Sequence, residues 1–112
     1  QLQLIQGDTE VCTGLATFVT GGHTQHHQGV RLNANDATLV YPGELVPMRT
    51  HLRPYWNMAY DMFPYQTIER KREFLERACA QEWVIAWDHD PGAPFSSVRG
   101  EGENYSAVNL EL

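Results

Sequence analysis

The chain is short of cysteine, of basic residues and of long apolar runs, and each shortage closes off a class of protein. Two cysteines in 112 residues, Cys12 and Cys79, cannot build a disulfide framework. Both stand among apolar neighbours, so packed, reduced thiols and a cytoplasmic setting are expected. Eight Lys and Arg face fourteen Asp and Glu, a formal net charge of −6. Nucleic-acid binders carry a basic patch, so no nucleic-acid partner is expected. The basic residues that exist, Arg70, Lys71, Arg72 and Arg77, interleave with Glu69, Glu73 and Glu76 and read as a salt-bridged solvent face. No apolar run approaches a membrane span and no signal-peptide pattern opens the chain, so no membrane partner is expected. An initiator methionine is also missing. Gln1 comes first and Leu2 to Ile5 already reads as a strand, so the expectation is a removed start or a piece of something longer.

What remains suits a folded domain. Hydrophobic residues are 42% and charged residues 20%, a globular balance rather than a disordered one. Residues 1–112 are read as a single unit. Glu10 to Cys12, Leu15 to Thr20, Gly29 to Asn33 and Thr38 to Tyr41 carry strand-like alternation or β-branched runs between turn residues. They predict an antiparallel meander. Thr67 to about Gln81 predicts the one main helix, with Thr67 as N-cap, a stripe of Ile68, Leu75, Ala78 and Cys79, and a Glu73–Arg77 pair. Trp83 to Trp87 reads as a strand buried on both faces, and Tyr105 to Leu112 as a final strand. Between Glu44 and Pro64 lies an aromatic, proline-broken excursion, expected either to wall a pocket or to pack over the sheet.

Chemistry concentrates in loops. Gly21-Gly22-His23-Thr24-Gln25-His26-His27-Gln28 puts three imidazoles beside a glycine turn, and histidine is both a common metal ligand and a group that titrates near neutrality. His23 follows one predicted strand, Glu44 another and His89 a third. Donors placed just past successive strand ends can converge at one sheet edge around an ion, as loop chemistry aimed by a rigid scaffold does. His51 and Asp61 flank the aromatic segment and are read as surface polar residues, with the site mouth as the alternative.

These segments resemble the metallo-β-lactamase-fold hydrolases. Thr20 to Gln28 looks like that family's Thr-Pro-Gly-His-Thr-Pro-Gly-His-Gln segment. Pro42-Gly43-Glu44-Leu45 is similar to its Gly/Ala-Asp-Leu step, with glutamate for aspartate, and Asp88-His89-Asp90 to its late His-Asp. The resemblance covers nearly the whole chain but only the family's C-terminal half; the His-x-His-x-Asp-His signature of the other half is absent. It implies an α+β fold of the αββα type, antiparallel strands with one main helix. It implies metal ligands at His23, Glu44 and His89, with His27 nearby to orient substrate or ligands. Zinc, one or two ions in the parent protein, is the implied cofactor, and Mn or Fe would also suit these donors. The implied reaction is metal-assisted hydrolysis of a small-molecule ester, thioester, lactone, amide or phosphoester, with this half inactive alone. Loss of the other half predicts an uncovered apolar sheet face, and so a homo-oligomer or pairing with the missing half.

Two other readings compete. One is a stand-alone single-metal barrel of cupin-like character, although such barrels expect a Glu soon after a His-x-His pair and here none arrives before Glu44. The other is an assembly module whose interface is the aromatic excursion.

Overall fold

The computed structural model describes residues 2–110. Seven strands form one sheet in sequence order: β1 (Thr9–Cys12), β2 (Leu15–Val19), β3 (Gln28–Ala34), β4 (Ala37–Tyr41), β5 (Val84–Ala86), β6 (Phe95–Glu101) and β7 (Asn104–Asn109). Every neighbouring pair is antiparallel except β4–β5, which is parallel. A parallel pair needs a long crossover. Here it consists of two 3-10 turns, Gly43–Leu45 and Arg49–Leu52, followed by the helix α1 (Pro64–Ala80). The expected α+β architecture is present, as an open sheet with one main helix. An open sheet is not a closed barrel, so the cupin-like reading falls.

The two faces of the sheet differ. One cross-strand row runs Glu10, Ala16, Arg31, Val40, Ile85, Ser96, Asn109. Its centre faces α1, and Val40, Ile85 and Val98 join Phe74, Leu75 and Ala78 of the helix and Leu45, Val46 and Leu52 of the crossover in the core. Side chains alternate across a strand, so the next row, Leu15, Leu32, Leu39, Val84, lies on the opposite face. No helix among the described residues packs there, and Val19, Leu32, Tyr41 and Phe95 remain exposed. The uncovered apolar face expected from the sequence is real.

Several local expectations need correction. Leu2 to Ile5 forms no strand; its side chains are exposed and the sheet begins at Thr9. The helix starts three residues early, with Pro64 in its first turn, where a missing N–H costs nothing. Thr67 is therefore not the cap: it is buried, and its hydroxyl donates to the Phe63 carbonyl at 3.3 Å. Lys71 belongs to the buried stripe, 1% exposed, its Nζ donating to the Trp56 carbonyl and to Asn57 Oδ1. Arg70 rather than Arg77 pairs with Glu73, while Arg77 lies over the Trp83 ring. Cys12 is exposed, not packed, and Cys79 is half-buried. Trp83, Ile85 and Trp87 are buried but Val84 and Ala86 only half so, because one face of β5 lacks cover. Strand β6 went unforeseen, and of the expected tail strand residues 111–112 lie outside the described residues.

Candidate metal centre

Strands β4 and β5 run in the same direction, and so does β2, two places away across antiparallel β3. Their C-terminal ends share one sheet edge, and each is followed by a segment carrying candidate donors. After β2 the backbone turns through Gly21 (φ +61°) and Gly22 (φ +82°), a region that favours glycine. A Cβ on Gly22 would stand 2.4 Å from Thr67 Oγ1, so the turn rests directly on the first turn of α1. The loop closes on itself where the Thr20 and Gly21 N–H groups donate to the His27 carbonyl. Two further bonds tie it to the crossover: Met62 N–H to the His23 carbonyl at 3.0 Å and Phe63 N–H to the Gly22 carbonyl at 2.8 Å.

The histidines then fall into distinct roles. His23 Nδ1 lies 2.9 Å from Asp61 Oδ1, and the Asp61 side chain is only 1% exposed. A carboxylate accepts, so Nδ1 carries the proton and Nε2 is left with a free lone pair. His27 is arranged the other way round at its ε nitrogen: Nε2 accepts the Glu44 backbone N–H at 3.1 Å, and Nδ1 meets the Thr20 hydroxyl. Burial first, then the neighbouring His23, pushes the His27 pKa down, which suits a ring that must accept at Nε2. The His23 and His27 rings meet edge to face with centroids 5.7 Å apart, and Tyr60 covers His23 in the same manner.

Glu44 and His89 form the heart of the cluster. Glu44 Oε1 lies 2.6 Å from His89 Nε2, and Asp88 Oδ2 lies 3.4 Å from the same nitrogen. The Glu44 hydrogen bond, then the Asp88 charge, raises the His89 pKa. One donor atom each from Glu44, Asp88 and His89 lies within 4.8 Å of the others. The Tyr41 phenol beside them is pushed up to about 12 by burial, then by its contact with Asp88. Glu44 Oε2 and Asp61 Oδ2 are buried and have no hydrogen-bond partner. Carboxylate oxygens left without a donor beside imidazole nitrogens fit a cation, so the donor set suits a divalent metal.

The geometry gathers most of the sequence-predicted residues. Glu44 and His89 touch, His27 holds the Glu44 backbone, and His23 packs on His27, one ring away from the tight donor group. His26 is exposed, and His51, half-buried, has its pKa lowered by burial, then by Lys71. Two residues escaped sequence reasoning. Asp88 was seen only as the neighbour of His89, and Asp61 was read as a surface residue. A carboxylate within Tyr60-Asp61-Met62-Phe63 did carry a signal, since an acid in an apolar stretch needs a buried partner. A clamp backs the His89 loop: Arg49 grips both Asp90 oxygens at 2.9 and 3.1 Å, and the His89 N–H donates to the Pro47 carbonyl.

The sequence matches no family model and no curated protein. Solved structures are similar in fold. A probable metal-dependent hydrolase from Staphylococcus aureus superposes with TM-score 0.82 at 25% identity, over 98% of this chain and 40% of that one. AbOPH, a hydrolase of the beta lactamase superfamily, gives 0.81 at 21% identity, over 92% and 36%. AidC, a dizinc quorum-quenching lactonase bound to a homoserine product, gives 0.84 at 12% identity, over 98% and 38%. The chain thus spans well under half the length of each.

Proposed function

We propose, from a chain that carries the C-terminal part of the metallo-β-lactamase fold, that residues 1–112 are one half-domain supplying part of a metal-dependent hydrolase site. Glu44 and His89 would hold a divalent ion together with Asp88, and His23, one ring away, would join them through its free Nε2 by a shift of its ring. The observation that carries this reading is the Glu44–His89 contact of 2.6 Å beside a buried, unpartnered Glu44 oxygen, at the ends of two parallel strands. A divalent ion bound there supplies Lewis-acid polarisation of the scissile group and lowers the pKa of a water toward about 7.

The chain's own residues prepare that site. Asp61 fixes the His23 tautomer and aims its ring. His27, with Nε2 engaged by the Glu44 N–H and Nδ1 by Thr20, has no nitrogen left for substrate and serves as a positioning residue for the Glu44 segment. The exposed rim of Tyr60, Met62 and Phe63 offers an apolar wall beside His23 to a small organic substrate. Lactones are the substrate class best supported, because AidC and a further similar structure are lactone hydrolases with homoserine products bound. Zinc is the ion favoured, with Mn and Fe as alternatives. These donors cage at most one ion, so hydrolysis belongs to the longer architecture that the similar structures display.

Calorimetric titration of the chain with Zn²⁺ and Mn²⁺ tests this. One ion should bind per chain, and Glu44→Gln and His89→Ala should each abolish it while circular dichroism stays unchanged. A chain that takes up neither ion, or variants that bind as the parent does, would sink the reading.

A further inference from the structure

We propose that this chain has a second, separate ligand site, in the groove between β1–β3 and α1, built for a monoanionic carboxylate with an apolar body. The helix covers the centre of the sheet but leaves the β1–β3 end open. In the helix-facing row the middle residue of Glu10–Ala16–Arg31 is the small one, which deepens the opening. A groove of about 530 Å³ results, within the size range of small-molecule pockets. Its apolar lining comes from Phe18, Leu45, Phe74 and Trp83, with the Phe18 and Phe74 rings stacked.

The charges that line it are unevenly satisfied. Three acids are already engaged: Asp8 accepts the Val19 N–H at 2.7 Å, Glu10 the Gly14 N–H at 3.3 Å, and Glu73 pairs with Arg70 at 2.9 Å. Two guanidinium groups are not. Neither Arg31 nor Arg77 has a carboxylate within salt-bridge distance among the described residues. Arg31 Nε is shut off from solvent and has no acceptor, a state that calls for a missing partner. Arg77, exposed at the rim, has its guanidinium carbon 5.2 Å from the Trp83 ring centroid, a cation–π contact that restrains it there.

The charge count also selects the ligand. Asp8, Glu10 and Glu73 balance Arg31, Arg70 and Arg77 one for one, so the groove has no excess positive charge for a multiply charged phosphate, and a monoanion meets less repulsion there. A planar carboxylate matches the guanidinium fork, and the ring or chain behind it would lie against the half-buried Ala16 and Phe18, with the edges of Phe74 and Trp83 beneath. The site shares no donor with the Glu44, Asp88, His89 cluster, so it stands whether or not that cluster binds metal.

Titration of the metal-free chain with 4-phenylbutyrate tests this, with the neutral 4-phenylbutanamide as its control and backbone and indole NMR shifts as the readout. The acid should shift Trp83 and the β1–β3 amides, and the amide should bind roughly tenfold more weakly. Arg31→Gln should cost a similar factor, Arg31→Lys less, and Arg99→Gln, on the opposite face, nothing. Equal binding of acid and amide by the unaltered chain overturns the proposal irrespective of how any variant folds. So does the absence of binding, or shifts confined to the exposed aromatic rim.

Discussion

Asp61 reaches His23 across 38 residues of chain, its Oδ1 2.9 Å from the ring Nδ1. The contact decides which imidazole nitrogen is free to bind an ion. Asp61→Asn keeps the shape but can offer an N–H where an acceptor is required, so the opposite tautomer becomes favoured. Zn²⁺ affinity should fall about 10–100-fold. Calorimetry checks this, and unchanged affinity would mean that His23 does not ligate.

The Arg49–Asp90 clamp makes part of the fold's stability sensitive to acid. Arg49 hydrogen bonds hold the Asp90 carboxyl down at about 2, from an ordinary 3.8. A folded pKa below the unfolded one adds stability that is complete above pH 3.8 and is lost as pH falls toward 2. With Arg49 30% exposed, the contribution is discounted to roughly 1–2 kcal/mol. Urea unfolding should show Asp90→Asn weaker by that amount at pH 7 and level with the parent near pH 2.

Lys71 acts at the other end of the scale. Burial drives its pKa from 10.5 to about 8. Between those values the unfolded chain keeps a proton that the folded chain has released, so stability rises with pH across that window. At about 1.4 kcal/mol per unit the rise is roughly 3 kcal/mol. Lys71→Met should flatten it, and parallel pH profiles for parent and variant would refute the assignment.

Gly22 tests the seat of the His23 loop. Alanine there must adopt φ +82° and push a methyl to 2.4 Å from Thr67 Oγ1 and 2.9 Å from Thr67 Cα. Strain alone costs roughly 1–3 kcal/mol, and the displaced loop carries His23 with it. Gly7, also at positive φ but with nothing within 4 Å, is the control. Gly22→Ala should lower both thermal stability and metal affinity, whereas Gly7→Ala should lower only the first, and by less.

Local chemistry made most of the architecture legible. Strands β1 to β5, β7 and the helix follow from β-branched runs, alternation and turn residues that act within a few positions. Leu2 to Ile5 alternates as well as any strand but finds no partner, and pairing is not a local property. Pro64 was read as a breaker when the first turn of a helix tolerates it, which also misplaced the cap at Thr67. Strand β6 was hidden because Pro91, Gly92 and Pro94 suggest irregular chain and only Phe95-Ser96-Ser97-Val98 hints at alternation. The His23, Glu44 and His89 positions were visible because each follows a strand end. Asp61 and Asp88 were not, since their value lies in what the fold brings to them. Lys71 looked solvated because its neighbours in sequence are charged, while its neighbours in space are the Trp56 carbonyl and Asn57.

The parallel β4–β5 pair has one last consequence. Leu39 sits opposite Val84 and Val40 opposite Ile85, and Glu44 and His89 lie only a few residues beyond those partners. Their separation is therefore written into ladder register, not into the 45-residue span that joins them. Substitutions at the exposed Tyr55, Trp56 and Tyr60 can reshape the mouth of the site while the two donors stay in step. The exposed side chains of the excursion, Tyr55, Trp56 and Tyr60, are free to diversify, whereas buried Leu52 and Pro54 and the anchorage beneath them are not.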